Sequence, residues 1–458
     1  MSKRFDAIII GAGQAGPSLA GRLSAAGKSV ALIERKLFGG TCVNTGCMPT
    51  KAMVASAYAA HMARRGADFG VATGPVSVDF ARVMARKDKV RTDARSGVEN
   101  WLKGMENCTV IEGHARFEDP HTVRVGEDIL TADQIFLNTG GRAATPDFPG
   151  VNDVPFLTNV SMMDLAVLPR HLIIVGGSYI GLEFAQMFRR FGSEVTVIEK
   201  GSRLIGREDA DVSDAVLAIL AKEGVQFRLN AECIHFARHG DDVAAGVDCT
   251  SGAPEIIGSH LLLATGRRPN TDDLGLDKAG VKTDARGYVE VDDALRTNVP
   301  HIFAMGDCNG RGAFTHTAYN DFEIVAANLL DGEPRKVTDR ISTYALYIDP
   351  PLGRAGMSET EARKTGRNIA VGTRPMTRVG RAVEKGETDG FMKVVVDADS
   401  QEILGASILG TGGDEAVQSI LDVMYAKKPY TTITHAVHIH PTVSELIPTV
   451  FGDLKRVG

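Results

Sequence analysis

With 458 residues, 43% of them hydrophobic and 24% charged, the chain has room for roughly two to four domains, each able to close its own apolar core. Its 51 basic and 57 acidic side chains leave a net charge of −6, which offers no basic field to nucleic acid or to an anionic membrane surface. No run approaches the ~18 apolar residues of a membrane span, and no small-residue cleavage site follows the short apolar run in "MSKRFDAIII". We therefore expect neither a signal peptide nor a membrane partner, and a cytoplasmic protein in which a permanent structural disulfide is out of place.

The elements begin with "FDAIIIGAGQAGPSLAGRLSAAGKSVALIER", which predicts an apolar strand, a glycine turn, an Ala/Leu-rich helix stopped at Gly27, and a second strand ending at Glu34. "GGTCVNTGCMPTK" follows, with two cysteines five positions apart. "FEDPHTVRVGEDILTADQIFLNTGGR" predicts short strands closing at Thr139 and Gly140, and the Pro-rich "AATPDFPGVNDVPF" a linker. "HLIIVGGSYIGLEFAQMFRRFGSEVTVIEK" then repeats the first unit, with 23 positions from Gly176 to Glu199 as from Gly11 to Glu34. "GSHLLLATGRRPN" closes at Thr265 and Gly266 as the earlier strands did at Thr139 and Gly140. After Lys336, "GFMKVVVDADSQEILGASILG" predicts paired strands and "GGDEAVQSILDVMYAKK" an amphipathic helix. "MARRGAD" and "RRFG" look like solvated helix ends.

The fold class is α/β: two Rossmann-like dinucleotide-binding units and a C-terminal α+β unit. In "GAGQAG", Gly11 makes the tight turn, Gly13 lets the backbone approach a pyrophosphate, and Gly16 permits close helix packing, while the helix N-terminus supplies unpaired N–H groups. Glu34 can accept hydrogen bonds from an adenosine ribose. In the second copy Gly176 and Gly181 keep the outer roles, but Ser178 stands at the middle position. Glu199 favours a free 2′-hydroxyl, hence NADH over NADPH, although Lys200, Arg203 and Arg207 close behind could pair with a 2′-phosphate.

The cysteine pair has three readings. As a staple it would close a loop of about six residues for roughly 2 kcal/mol, in a chain large enough not to need it. As half of a zinc site it lacks partners, because Cys108, Cys233, Cys249 and Cys308 are isolated, and no metal ligand set is expected. As a redox pair it has suitable surroundings. Pro49 and the Ala-rich sequence behind it predict that Cys47 opens a helix, whose positive end stabilises a thiolate, and Lys51 lies one turn along. Asn44, Thr45 and Gly46 allow the bend that brings two sulfurs together.

Together, "GAGQAG", "GGTCVNTGCMPTK", "GGSYIGLE", "ATGRRPN", "HIFAMGDC" and "HIHPTVSE" make the chain resemble the FAD-dependent pyridine nucleotide-disulfide oxidoreductases, which include dihydrolipoamide dehydrogenase, glutathione reductase and mercuric reductase. The resemblance implies an FAD-binding domain over residues 1–148 and 267–335, an NAD(P)-binding domain over 149–266 and a dimerisation domain over 336–458. It implies that Gly11, Gly13, Gly16 and Glu34 hold the FAD adenosine and pyrophosphate, with Gly40, Thr41, Thr139, Gly140, Gly306 and Asp307 completing the flavin site. Gly176, Gly181, Glu199 and Gly266 would serve the second nucleotide, and Tyr179 would cover the nicotinamide pocket until the nucleotide displaces it. Cys47 would be the flavin-facing thiolate and Cys42 the thiol that meets substrate. Lys51 and Glu183 would form an ion pair beside the flavin. His440 and Glu445 would act as base and orienter in the partner subunit's site, which implies a homodimer with shared active sites.

The chemistry is consistent with this. A hydride carries two electrons, a disulfide accepts two, and a thiolate leaving group needs a proton source near neutral pH, which a histidine oriented by a carboxylate supplies. Taken singly, His440 could be an ordinary surface histidine, Tyr179 a packing aromatic, and Lys51 and Glu183 solvated helix charges. Within the family the wording is most similar to mercuric reductase-like proteins, yet no cysteine follows Cys308 to hand over a metal ion. A small-molecule disulfide or dithiol is therefore the expected substrate. A metal-ion reductase acting on Hg(II) or Cu(II), and a flavoprotein that senses NADH or oxidants without turnover, are the alternatives.

Overall fold

The structure is a computed structural model that describes residues 2–248 and 254–457. Cys249 lies outside these residues. The strands Ser2–Ile10 and Val30–Glu34 pair in parallel with Ile8 opposite Ala31. Residues Ala7 to Ile10 and Val30 to Ile33 are all buried. A strand covered by helices on both faces needs a continuous apolar run rather than an alternating one, which is why "AIII" and "VALI" become inner strands.

The first sheet runs Cys108–Glu112, Val30–Glu34, Ser2–Ile10, Asp128–Leu137, Thr122–Val125, Ala115–Asp119, and Ile302–Ala304 pairs in parallel with Asp128–Leu137. The second has four parallel strands in the order Gln226–Arg228, Glu194–Ile198, His171–Val175, His260–Leu263, with an antiparallel three-stranded sheet beside it in the chain, Glu232–His239, Asp242–Asp248 and Glu255–Gly258. Between the two, Gly141–Ala143 pairs with Arg267–Pro269, so the chain leaves the first sheet and returns towards it along adjacent antiparallel segments. The third sheet has six strands, antiparallel throughout, and the helix Gly413–Tyr425 packs on it. The α/β class is as the sequence predicts.

One apolar cluster fixes the site. Met53 and Ala57 of the helix Cys47–Arg64 pack with Phe184 and Phe188 of the helix Tyr179–Phe191, and with Leu346 and Leu352 of the third sheet. This holds the helix carrying the cysteine against the helix carrying Glu183.

The reading of "RRFG" as a solvated helix end is overturned at Arg190. Its side chain is buried and pairs with Glu223 at 2.7 Å and Asp349 at 2.8 Å. A guanidinium tolerates burial when its planar fork meets carboxylates on more than one side. Among the described residues no helix is long and apolar enough to cross a membrane, and no group of three or more His, Cys, Asp or Glu side chains could hold a metal ion.

Candidate active site

Gly11 and Gly176 take φ of +109° and +114°, a region that favours glycine. A Cβ at Gly11 would lie 2.3 Å from the Asn138 carbonyl oxygen, and one at Gly176 would lie 2.4 Å from that of Ala264. The two turns are thus built alike, each pressed against the end of a neighbouring strand. The acids match as well. Glu34 accepts from the amides of Ala12 at 2.9 Å and Lys36 at 2.8 Å; Glu199 accepts from those of Gly177 and Gly201, both at 2.7 Å. Each carboxylate therefore ties its glycine turn to its own strand end and keeps lone pairs for a hydroxyl. Ser178 sits at the middle position of the second turn with its residue exposed.

Cys47 is the first residue of its helix, with Pro49 in the first turn. Its Sγ lies 3.2 Å from Oγ1 of Thr315, itself the first residue of the helix Thr315–Ala326. Neither Cys42 nor Cys47 is in a disulfide. The Cys42 thiol bonds to the Cys47 sulfur, and this contact is the main reason Cys47 is lowered to about 6; burial opposes it, while Thr315 and the Lys51 charge assist. The same bond, reinforced by burial, pushes Cys42 far up, so Cys42 keeps its proton. The two thiols are thus shifted in opposite directions, Cys47 down and Cys42 up.

Lys51 Nζ donates to Glu183 Oε2 at 2.7 Å, and Glu183 Oε1 accepts from the Tyr347 amide at 3.1 Å. The Glu183 side chain is 7% exposed, which excludes a solvated helix charge at that position. A pair with one buried partner resists screening better than a surface pair. Lys51 also lies 4.5 Å from the centre of the Tyr347 ring. Tyr179 meets Tyr344 and Phe314 edge-on, with ring centres 5.2 and 6.0 Å apart.

Gly306, at φ +72°, and Asp307 are held by a residue that sequence reasoning missed. Asp321 is buried and accepts from the Gly306 amide at 2.8 Å and from Asn309 Nδ2 at 2.9 Å, and Arg340 pairs with its other oxygen. Burial pushes the Asp307 carboxyl up, against Arg267, whose Nε lies 3.5 Å away. Thr315 and Asp321 share the stretch "THTAYNDFE", in which no spacing marks either as a site residue.

The two glycine turns with their acids, the two cysteines, Lys51, Glu183, Tyr179, Asp307 and Thr315 line one cavity of about 2130 Å³. It runs from Gly11 and Glu34 past Cys42 and Cys47 to Tyr179 and Glu199. That volume is about twice the upper end for a usual small-ligand pocket, as expected for two long dinucleotides meeting at one redox pair. Three buried polar atoms of lining residues, Asn44 Oδ1, Thr139 Oγ1 and Arg340 Nη1, have no protein partner, and a polar ligand would satisfy them. At Gly40, φ +62°, a Cβ would come within 2.9 Å of the Gly13 Cα, so the backbone is open to close approach there. The donor set fits FAD. Lys200 and Arg207 also line the cavity; Arg203 does not.

Family comparison decides the assignment. Residues 5–321 match the family described as pyridine nucleotide-disulphide oxidoreductase, and residues 342–451 its dimerisation domain. The chain belongs to this family. This pyridine nucleotide-disulphide oxidoreductase is an enzyme that uses FAD and a pyridine nucleotide. It is 36% identical to the probable pyridine nucleotide-disulfide oxidoreductase RclA of Escherichia coli K12, over 99% of this chain and 100% of that one. It is 31% identical to the dihydrolipoyl dehydrogenase of Geobacillus stearothermophilus, over 96% and 94%, and 31% identical to the mercuric reductase of Bacillus cereus, over 97% and 69%. A solved Cu(II) complex of the HOCl-induced flavoprotein disulfide reductase RclA from Escherichia coli superposes with a TM-score of 0.90 at 36% identity, covering 98% of this chain and 99% of that one.

In this oxidoreductase His440 Nδ1 lies 2.9 Å from Glu445 Oε2, with the Glu445 side chain 14% exposed and that of His440 81%. Neither lines the cavity. Val437 and Ile439, on the same segment, are 100% and 80% exposed. One chain therefore brings His440 and Glu445 together but does not bring them to the cysteines.

Proposed function

We propose that the enzyme reduces a small disulfide at Cys42, with Cys47 as the flavin-facing thiolate. The carrying observation is the setting of Cys47, which opens its helix with Sγ 3.2 Å from Thr315 Oγ1 and Lys51 one turn along, surroundings that lower its thiol. The Gly11 turn, Glu34 and the Asp307 end would hold FAD along the cavity, and FAD would supply the relay of a hydride's two electrons to the cysteine disulfide. Lys51, locked by Glu183, keeps a positive charge beside the thiolate.

Substrate reduction then balances within the dithiol. Cys42 gives its proton to His440 of a second copy and attacks the substrate disulfide, forming a mixed disulfide and releasing one thiolate, which takes the proton back. Cys47 attacks the Cys42 sulfur, re-forming the Cys42–Cys47 bond and releasing the second thiolate. Glu445 fixes the His440 tautomer by accepting at Nδ1, leaving Nε2 to exchange the proton. Residues 1–148 and 267–335 are assigned to FAD, 149–266 to the nicotinamide nucleotide, and 336–458 to pairing of two copies. Exposed Val437 and Ile439 support the pairing as surface that a second copy would cover. The cytosol is the proposed location, because a dithiol that must return to its reduced form suits a reducing compartment.

NADH is the assigned reductant. Glu199, fixed by two amides at its strand end, suits a free 2′-hydroxyl, and would repel a 2′-phosphate unless Lys200 and Arg207 overcame it. A second acceptor reading rests on the Cu(II) complex of the similar RclA structure: two Cu(II) ions would each take one electron from the dithiol, whose soft sulfurs suit the Cu(I) product.

Anaerobic titration with NADH and with NADPH tests the assignment. A long-wavelength thiolate-to-flavin band should appear at two electrons, at lower NADH than NADPH; flavin reduction without that band removes Cys47 from its role. Steady-state turnover with lipoamide, glutathione disulfide, Hg(II) and Cu(II) then selects the acceptor, and failure with all four defeats the reductase reading in favour of a sensor.

A further inference from the structure

Behind Tyr179 stands a polar anchor that the mechanism above does not use. Thr343 and Ala345 of the strand Thr343–Leu346 line the cavity, but Tyr344 between them does not, because alternate residues of a strand face opposite ways. Its ring packs edge-on against Tyr179 and stacks on Phe314 at 5.9 Å. The Tyr344 hydroxyl donates to Glu208 Oε1. Glu208 Oε2 accepts from Arg354 Nη1 at 3.2 Å, and the same nitrogen donates to Ser407 Oγ at 2.6 Å. The Glu208 side chain has no exposed surface and that of Arg354 is 5% exposed.

Such a set is costly to leave half-made, since each buried charge depends on the others for its partners. It also spans two units. Glu208 lies two positions before the helix Ala210–Lys222 of the second nucleotide unit, whereas Tyr344, Arg354 and Ser407 lie on the third sheet. The adjacent Asp209 reinforces the junction, accepting from the amides of Glu359 and Thr360, both at 2.9 Å. Tyr179 therefore rests against a tyrosine that is clamped from the rear.

We propose that Tyr344, clamped by Glu208 and Arg354, is a positioning residue that holds the Tyr179 ring in its closed place and so sets the affinity for the nicotinamide nucleotide. This rests on the reading of Tyr179 as the cover that the nucleotide displaces. A closed cover competes with the nicotinamide, and the apparent affinity falls by the fraction of molecules that are closed. Loosening the clamp raises the open fraction.

Tyr344→Phe keeps the ring and removes the bond. The expected result is an NADH KM lowered about threefold to tenfold, the range for one net hydrogen bond. Reoxidation of the dithionite-reduced enzyme by the acceptor should not change. Glu208→Gln is measured in parallel with the same expectation, so that misfolding of one variant leaves the other to decide. In a Tyr179→Ala background, Tyr344→Phe should have no further effect on KM. A lower melting temperature with unchanged KM makes the clamp merely structural and overturns the proposal, as does an undiminished effect of Tyr344→Phe when Tyr179 is absent. If Tyr179→Ala itself leaves KM unchanged, the cover reading fails and the clamp with it. If Tyr179→Ala shifts KM and neither clamp variant does, the cover stands and only the clamp is refuted.

Discussion

The cysteine pair and the His440–Glu445 pair are both built from residues five positions apart, but they sit in opposite surroundings. Cys42 and Cys47 line the wall of a large cavity, with two helix starts and Lys51 converging on one sulfur. His440 is held just as firmly by its carboxylate, yet stands in solvent on a segment with Val437 and Ile439 fully or largely exposed. The difference teaches that one chain brings its cysteines into the cavity and leaves the His440–Glu445 pair, the proposed proton-handling half, outside it. A second copy is the proposed complement.

Four measurements bear on that division. Cys47→Ser should reduce acceptor turnover to background while NADH still bleaches the flavin, since a two-electron thiol couple needs both sulfurs; persistent turnover would show that electrons bypass the pair. His440→Ala should slow the acceptor step by about 10²–10⁴-fold, the usual worth of a general acid–base, and spare flavin reduction. Equal loss in both half-reactions would place His440 elsewhere in the cycle.

Mixing the two inactive variants and allowing subunit exchange should restore about a quarter of wild-type acceptor turnover, because half the dimers are mixed and each has one intact site. No recovery would mean that each chain serves its own cysteines. The smallest effect concerns pH. Alkylation of the reduced enzyme should follow a Cys47 midpoint of about 6, reactivity falling as pH drops through it and the thiolate is protonated. Thr315→Val removes a stabilising contact and should move the midpoint upward. A wild-type midpoint near the ordinary ~8.5 of cysteine would dissolve the asymmetry of the pair.

Both glycine turns, their acids and the helix start at Cys47 could be read directly, since each depends on residues within about two dozen positions and on backbone periods that spacing reveals. Thr315, Asp321 and Arg340 could not. Cys47 and Thr315 are 268 positions apart, and their contact exists only because two helices point their N-termini at one cavity. Arg190 reads as a surface charge in "RRFG", and only the position of Glu223 and Asp349 across a helix packing makes burial tolerable.

The sequence by itself determined the α/β class, the duplicated nucleotide turns and the helix start at Cys47, all consequences of short-range geometry, whereas the division of roles between the cysteines and the pairing of His440 with Glu445 came through family resemblance. Lys51 and Glu183, 132 positions apart, could be named only through family resemblance, and the structure supplied the 2.7 Å bond. Tertiary packing alone decided that Thr315 meets the Cys47 sulfur, what stands behind Tyr179, and that His440 lies outside the cavity of its own chain. Those outcomes depend on how the apolar faces of distant helices and sheets meet, and burial and electrostatic partners are set by that meeting rather than by spacing along the chain.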